Sequence, residues 1–433
     1  MIDHGVSTRA FAESPPRTGA GEADTPLSAG LGVLRHPCEG PAPVHRGENT
    51  SLIGFQVKLP ASAAEPLKFT PSVVNRIAMI DAELGPSGHR LFIYSPGQVR
   101  ADRATVPGYL HEAGRFLPVT APVPKVNGNW TRRTRRVIDG GMGYHEFQRW
   151  AEDQGVAIYV PPALCDLLAN KHDTYRLVYA YNATLHPHCE VCDLSTEQLE
   201  RFIESGRLTF VKPRRGSRGN RIVVIERTPA GFAISQYDRG ERRHRLTGSI
   251  KDARKCLVEL TRGRIKYVME HGIETMPFGG STFDVRVIMV NDGRSWRWLH
   301  EARLSKPGSH VSNVAQGGES VPTDELMFEL LGTERGLHMM REIRSESFGL
   351  VGHLDRRFPG SLHELAFDFA IDREGRLKLL EINTKPGLSS VGFDFTVWNK
   401  RPEHEPIFER WVYPHGKSLA RFLLSKTVVQ GAS

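Results

Sequence analysis

From Ser51 onward the apolar residues come in short runs separated by turn-forming residues. SLIGFQVKL and HRLFIYSP are nearly continuous apolar runs, the pattern of buried strands. PSVVNRIAMIDAEL, between them, and the later EFQRWAEDQG carry apolar residues at helical spacing. Together these elements predict an α/β domain ending near residue 160. A helix is expected from Ala163 through Tyr181. A second begins at the capping-box sequence STEQ, Ser195 to Gln198, with Leu199 and Phe202 on one face. RLTFVKP, NRIVVIER, FAISQY, RIKYVME, FDVRVIMV and SWRWLHEARLS then read as strands, interrupted by helices at about 249–262 and 337–350. LAFDFAID and RLKLLEIN follow as two strands joined by the turn REG, and a helix around PHGKSLARFLLSK closes the pattern. Residues 1–48, with Pro15, Pro16, Pro37, Pro41 and Pro43, show neither period and are expected to form a mobile tail outside the fold. No repeat of solenoid length is present.

Composition narrows the picture. A chain of 433 residues, 39% hydrophobic and 24% charged, is a soluble multi-domain protein, not a collagen, a coiled-coil rod or a disordered chain. No apolar run approaches the roughly 18 residues needed to span a bilayer. The opening MIDHGVSTRAFAESPPR also lacks the apolar core of a signal peptide, so a cytoplasmic protein without a membrane partner is expected. Five cysteines, an odd number, argue against a disulfide framework. The excess of 57 Lys and Arg over 49 Asp and Glu suits a phosphate-bearing ligand as well as a plain solvated surface. No zinc finger, RNP signature or basic zipper accompanies it, which sets nucleic acid aside as a partner.

Two segments carry chemistry. In VKPRRGSRGN, residues 211–220, Gly216 and Gly219 let the backbone approach an anion, Ser217 and exposed N–H groups can donate to it, and Lys212 adds a point charge. The Walker ending GK[ST] is missing, and a Gly-Ser hairpin with solvated arginines fits the same letters. In LKLLEINTKPG, Glu381 and Asn383 lie two apart on a strand and share a face, and Asp368 on the preceding strand lies beside them if the pair is antiparallel. Two carboxylates brought to about 4 Å repel by about 4 kcal/mol at an effective dielectric near 20, so the trio calls for a cation, and oxygen ligands suit Mg²⁺ or Mn²⁺. A solvated acidic strand end is the plain alternative.

Joined to the helix containing NKHDTY (170–175), the strand FDVRVIMV and the later NVAQGG, these segments resemble the ATP-grasp superfamily. Their order is most similar to its YheC/YheD-type branch, named for endospore coat-associated proteins and akin to glutamate-adding and D-alanine-D-alanine ligases. The likeness covers about residues 52–425, including IYSPGQVRADRATVPGY and APVPKVNGNWTRRTR. It implies an ATP-grasp fold of class α/β and α+β. A pre-ATP-grasp domain would occupy 51–160, a small subdomain with the Gly-rich lid 161–272, and a large subdomain with the metal site 273–428. By the same resemblance Lys171 and Lys212 hold the ATP phosphates under the Gly216–Gly219 loop. Glu270, with the backbone of His271 and Ile273, meets the adenine, and Glu274 the ribose. Arg286, in the family's Asp-x-Arg strand with Asp284, and Arg303, near the γ-phosphoryl group, are catalytic; Asp368, Glu381 and Asn383 hold the metal, and Asp284 and Asn313 lie toward the acceptor. The implied reaction is ATP-dependent joining of a small-molecule or peptide carboxylate to an amine through an acyl phosphate. Related folds also include kinases that stop at phosphoryl transfer, and a non-catalytic ATP-binding scaffold is the third possibility. Neither the two substrates nor the oligomeric state is written in these motifs.

Other signals are less directed. Arg214, Arg215, Arg218 and Arg221 make the loop unusually basic, suited to an acidic second substrate or to solvent. TRRTRR (131–136) adds Arg132 and Arg135, which would serve a carboxylate-rich acceptor if they face the cleft. HPHCEVC (186–192) contains the zinc-type ligands His186, His188, Cys189 and Cys192, but four ligands from one seven-residue loop are cramped.

Overall fold

The computed structural model describes residues 51–57, 59, 71–100, 102, 104–112, 115–130, 141–216, 220–238, 241–261, 266–305, 319–384 and 413–430. These form three sheets, and the tail at 1–48 lies outside the described residues.

The first sheet is built from β1 (Ser51–Gln56), α1 (Pro71–Leu84), β2 (His89–Tyr94), β3 (Thr105–Glu112), β4 (Arg115–Pro122), β5 (Val126–Asn129), α2 (Tyr144–Asp153) and β6 (Ala157–Tyr159). Its strand order is β4-β3-β2-β1-β5-β6, parallel from β2 to β6 and extended by the antiparallel β3 and β4. Ile53, Phe55, Leu91 and Ile93 pack with Ile77 and Ile80 of α1 on one face, and Phe92 and Tyr94 with Phe147 and Ala151 of α2 on the other. Burial on both faces is why these strands read as unbroken apolar runs.

Next come α3 (Pro162–Leu168), α4 (Lys171–Tyr181), β7 (Cys189–Val191), α5 (Thr196–Glu204), β8 (Leu208–Pro213), β9 (Ile222–Thr228), β10 (Gly231–Asp238), β11 (Glu241–Thr247), α6 (Ile250–Leu260) and β12 (Tyr267–His271). The second sheet runs β11-β10-β9-β8-β12-β7. One face buries Val211, Val223, Ile225, Ile234 and Met269 under Leu199 and Phe202 of α5 and Leu257 of α6. Alternation along β8 and β12 turns Phe210, Lys212 and Glu270 to the opposite face.

The third sheet contains β13 (Phe283–Asn291), β14 (Trp296–Leu304), β15 (Glu319–Val321), β16 (Glu364–Ile371) and β17 (Leu377–Asn383), in the order β15-β14-β13-β16-β17. Between β15 and β16 run α7 (Thr323–Leu331) and the 25-residue α8 (Thr333–Arg357). Met339, Ile343, Leu350 and Leu354 form one stripe of α8 and cover Val285, Val287, Phe367, Phe369 and Leu379 of the sheet. No helix among the described residues is long and apolar enough to cross a membrane.

Three expectations change. The helix foreseen over 163–181 is two helices, because Asn170 adopts an extended backbone (φ −105°, ψ 107°) and forms an isolated β-bridge with Arg215. Leu164, Leu168, Leu177 and Val178 of these helices, within the small subdomain expected over 161–272, share their core with the third sheet. ERRHRLT, not among the expected strands, is β11, an edge strand, where charged side chains are common.

The closing helix α9 (Tyr413–Gln430) packs Leu419, Phe422 and Leu423 into the core of the first sheet. Glu364, fully buried at the start of β16, accepts from Trp130 Nε1 (2.6 Å) and from His415 Nε2 of α9 (2.9 Å). Arg76 of α1 lies 4.5 Å above the Trp130 ring. Burial alone would raise the Glu364 pKa, but the His415 hydrogen bond and the charges of His415, His363 and Arg76 bring it from 4.5 to about 2. The stability this carboxylate contributes is therefore present above the ordinary carboxylate range and lost as pH falls through it toward 2. Glu364→Ala should lower the unfolding free energy by about 3 kcal/mol in urea titration. Glu364→Gln should lose less, and its stability should fall less steeply than wild type between pH 5 and pH 3.

Candidate active site

Strand register assembles the site. In the antiparallel third sheet Asp284 lies opposite Arg303, Arg286 opposite both Glu301 and Asp368, Asp368 opposite Glu381, and Ala366 opposite Asn383. Opposed residues share a face and so do residues two apart, which places Asp284, Arg286, Glu301, Arg303, Asp368, Glu381 and Asn383 all on the face turned away from α8.

The side chains on that face are interlocked. Arg286 grips Asp368 with both arms, Nε to Oδ1 and Nη2 to Oδ2, each at 2.8 Å. Arg303 donates from Nε to Asp284 Oδ1 at 2.5 Å, and its Nη2 lies 3.2 Å from Asp368 Oδ2. Glu301 is buried beside them and accepts from Ser320 Oγ at 3.1 Å. Burial by itself would favour the neutral form of Asp368, yet Arg286 and Arg303 hold its pKa at about 2. Burial also opposes the charge on Arg303, but Asp284, Asp368 and Glu301 outweigh it and raise its pKa.

Across the cleft, Lys212 on β8 forms an ion pair with the buried Glu270 on β12, its ammonium 5.1 Å from the Phe210 ring centre. Lys171 opens α4, where the break at Asn170 points the chain toward the loop, and its Nζ donates to the Gly216 carbonyl at 2.9 Å. Its pKa is lowered, mainly by burial and secondarily by Lys212, against the pull of Glu381 and Glu270. Residues from both sheets thus meet electrostatically at Lys171.

The remaining expected residues divide. Glu270 faces the cleft, but the His271 ring turns to the other side, 4.6 Å from Phe202 and bonded to Ser205 Oγ at 2.8 Å. Gly272 N donates to Leu208 O at 2.7 Å, an approach that leaves no room for a Cβ, and Ile273 follows it. Glu274 is paired with Arg373 at 3.2 Å, so a ribose would compete with that arginine. Ser217, Gly219, Asn313, Arg132 and Arg135 lie outside the described residues.

The zinc-type residues are not gathered. His188 bonds Tyr175 and Glu190, His186 Nδ1 bonds the Pro187 carbonyl, and Cys192 packs against the core of the second sheet. Cys189 pairs with Glu270 on the cleft side, with its thiol pushed up to about 12 by burial. No group of three or more His, Cys, Asp or Glu side chains placed for a metal occurs among the described residues.

Glu301 and Asn170 were not singled out in the sequence. Glu301 carried a usable signal, since it stands two residues before Arg303 on a predicted strand. Asn170 carried one too, since Asn is a favoured N-cap residue and here it stands at the N-cap of α4, with Asp173 in the first turn.

The donor set suits a hard divalent cation. Asp284, Glu301 and Asp368 exceed the two guanidinium groups on this face, and Glu381 adds a further carboxylate. Asp368 keeps lone pairs beyond those its arginines occupy, and Glu381 and Asn383 are half-buried oxygen donors beside it.

Two antiparallel sheets facing each other, a Gly-rich loop between β8 and β9, and an acidic face opposite two lysines define an ATP-grasp protein. Residues 162–394, more than half of the chain, match the YheC/D-like ATP-grasp family, and the chain belongs to that family. Endospore coat-associated protein YheD of Bacillus subtilis strain 168 is 22% identical over 310 residues, 70% of this chain and 66% of its own length. YheC of the same organism is 23% identical over 203 residues, 45% of this chain and 53% of its own. The chain thus spans just under two thirds and about half of these curated relatives. Among solved structures, D-alanyl-alanine synthetase A of Vibrio cholerae O1 biovar eltor shares 12% identity at a TM-score of 0.46, with 87% of this chain and 98% of that chain covered.

Structural and ligand-facing carboxylates should separate on mutation. Asp368→Asn strips the counter-charge from two buried guanidinium groups and should cost about 3 kcal/mol or more in urea unfolding. Glu381→Gln, half-buried at the cleft, should change stability by less than about 1 kcal/mol.

Proposed function

We propose that the chain is an ATP-dependent carboxylate–amine ligase. What carries this reading is the fixed charged face of the third sheet set against Lys171 and Lys212 of the opposite half. A γ-phosphoryl group transferred in this cleft develops charge on its oxygens, and catalysis of such a step rests on donors already in position. Arg286 and Arg303 meet that need. Asp368 holds Arg286 through Nε and Nη2, while Asp284 and Asp368 hold Arg303 through Nε and Nη2, so each guanidinium is fixed in orientation and its Nη1 would be the nitrogen that meets a phosphoryl oxygen. Lys171 and Lys212 would hold the remaining phosphates, with Lys171 leaving the Gly216 carbonyl to do so.

In the first step an oxygen of the substrate carboxylate attacks the γ-phosphorus, the bond to the β-phosphate oxygen breaks, and ADP and an acyl phosphate form. In the second an amine nitrogen attacks the acyl carbon, phosphate leaves with the C–O bonding pair, and the nitrogen gives up a proton. A Mg²⁺ ion held by Asp368, Glu381 and Asn383 would supply charge neutralisation at the phosphates. The acyl phosphate hydrolyses in water, so a cleft closed between the two sheets protects it.

The test is ADP and phosphate release from Mg-ATP with pooled carboxylates, peptides and amines. The expected result is equal amounts of both products, requiring a carboxylate and an amine together, and at least about a 100-fold loss in Glu381→Gln. ADP formed without free phosphate would point to a kinase and overturn the ligase reading.

A further inference from the structure

The stem of the Gly-rich loop continues β8 of the second sheet, whereas α3 and α4 belong to the core of the third. Contacts between them therefore bridge the two halves of the cleft, and they are dense. Lys171 N donates to the Arg214 carbonyl at 2.9 Å, and Asn170 and Arg215 form an antiparallel bridge. Arg214 Nε donates to Asn170 Oδ1 at 2.8 Å and its Nη2 lies 3.6 Å from Asp173 Oδ1. Asn170 Nδ2 in turn donates to Asp173. Arg215 Nη1 lies 3.6 Å from Asp166 Oδ1 on α3. The Lys171 bond to the Gly216 carbonyl completes the set.

We propose that Arg214 and Arg215 are positioning residues: they clasp the loop stem onto the α3–α4 junction and thereby set the affinity for nucleotide. The arginines are committed to carboxylates of the chain itself, so they are not the grip for an acidic acceptor that their position beside a phosphate loop suggests. The forked guanidinium is what the geometry uses, since Arg214 reaches Asn170 and Asp173 from two different nitrogens and an ammonium would reach one. With the stem fixed, Lys171 is parked on the Gly216 carbonyl beside the place where incoming phosphates need its ammonium. Without the clasp, each binding event must first order the stem. Such a loss falls on ground state and transition state alike and raises KM while leaving kcat in place.

The inference rests on the nucleotide reading of the cleft, and its test is chosen to fail separately. Trypsin cuts after arginine, and cutting after Arg214 or Arg215 requires the stem to leave its backbone partners. Cleavage at these two bonds is followed by mass spectrometry, and ATP affinity by calorimetry, in wild type and in Asp166→Asn/Asp173→Asn. Partly exposed ion pairs of this kind contribute about threefold each, so the double variant should be cut about tenfold faster and bind ATP about tenfold more weakly, with kcat within about twofold. Exchanging one pair, Arg215→Asp with Asp166→Arg, removes the tryptic site after residue 215, so this variant is read by ATP affinity, which should recover in part. Should the double variant not fold, Arg214→Lys takes its place with about a threefold effect. Unchanged cleavage and unchanged ATP affinity in a folded variant overturn the clasp. A wild type that binds no ATP overturns the nucleotide reading instead, and the tryptic rates still decide the clasp.

Discussion

Asp368 lies fully within the third sheet with three N–H groups of two arginines directed at it, and the geometry of the cleft follows from that contact. A buried carboxylate is tolerable only with its counter-charges in place, and Arg286 and Arg303 reach it only in the observed pairing of β13, β14 and β16. A slip of one residue between β13 and β16 would turn Arg286 into the apolar layer beneath α8. The charged ladder therefore acts on the fold as well as on the chemistry, fixing the register of the strands that carry it. The apolar face makes the same demand from the other side, because Val285, Val287, Phe367 and Phe369 must meet Ile343 and Leu350.

Much of this was legible in the letters. FDVRV and LAFDFAID alternate, and period two puts Asp284 with Arg286 and Glu381 with Asn383 on common faces, whereas the pairing that sets Asp368 beside Glu381 also passes through a bulge next to Asp368. The two-sided burial of SLIGF and RLFIY was equally visible in their unbroken apolar runs. What escaped was set by tertiary contact. Asparagine's N-cap preference marks a helix start at Asn170, but the bridge to Arg215 that holds the break, forty-five residues along the chain, is not announced locally. The expectation for His271 concerned its backbone; its ring, turned from Glu270 by strand alternation, packs on Phe202, a contact not legible in the letters. HPHCEVC read as a possible ligand loop because spacing was visible and facing was not. Strand geometry sends Cys189 and Cys192 to opposite sides of the second sheet.

The two halves of the cleft differ in what holds them. The third sheet is rigid by salt-bridge ladder and apolar layer together. The second presents Lys212 and Glu270 as a mutually satisfied pair, which keeps a buried charge available without leaving it uncompensated before a ligand arrives. Lys171 stands between them, partly desolvated, with a backbone carbonyl as its partner.

The helix α9 seats Leu419, Phe422 and Leu423 against Ile53, Ile77 and Leu91, residues made hundreds of positions earlier. During synthesis the first sheet therefore leaves the ribosome with one flank uncovered, and it stays so until α9 has emerged. Glu364, already fixed on β16 by then, supplies the buried anion onto which His415 docks. The first sheet is thus completed only by residues that follow the third sheet in the chain, which ties the stability of the one to the other.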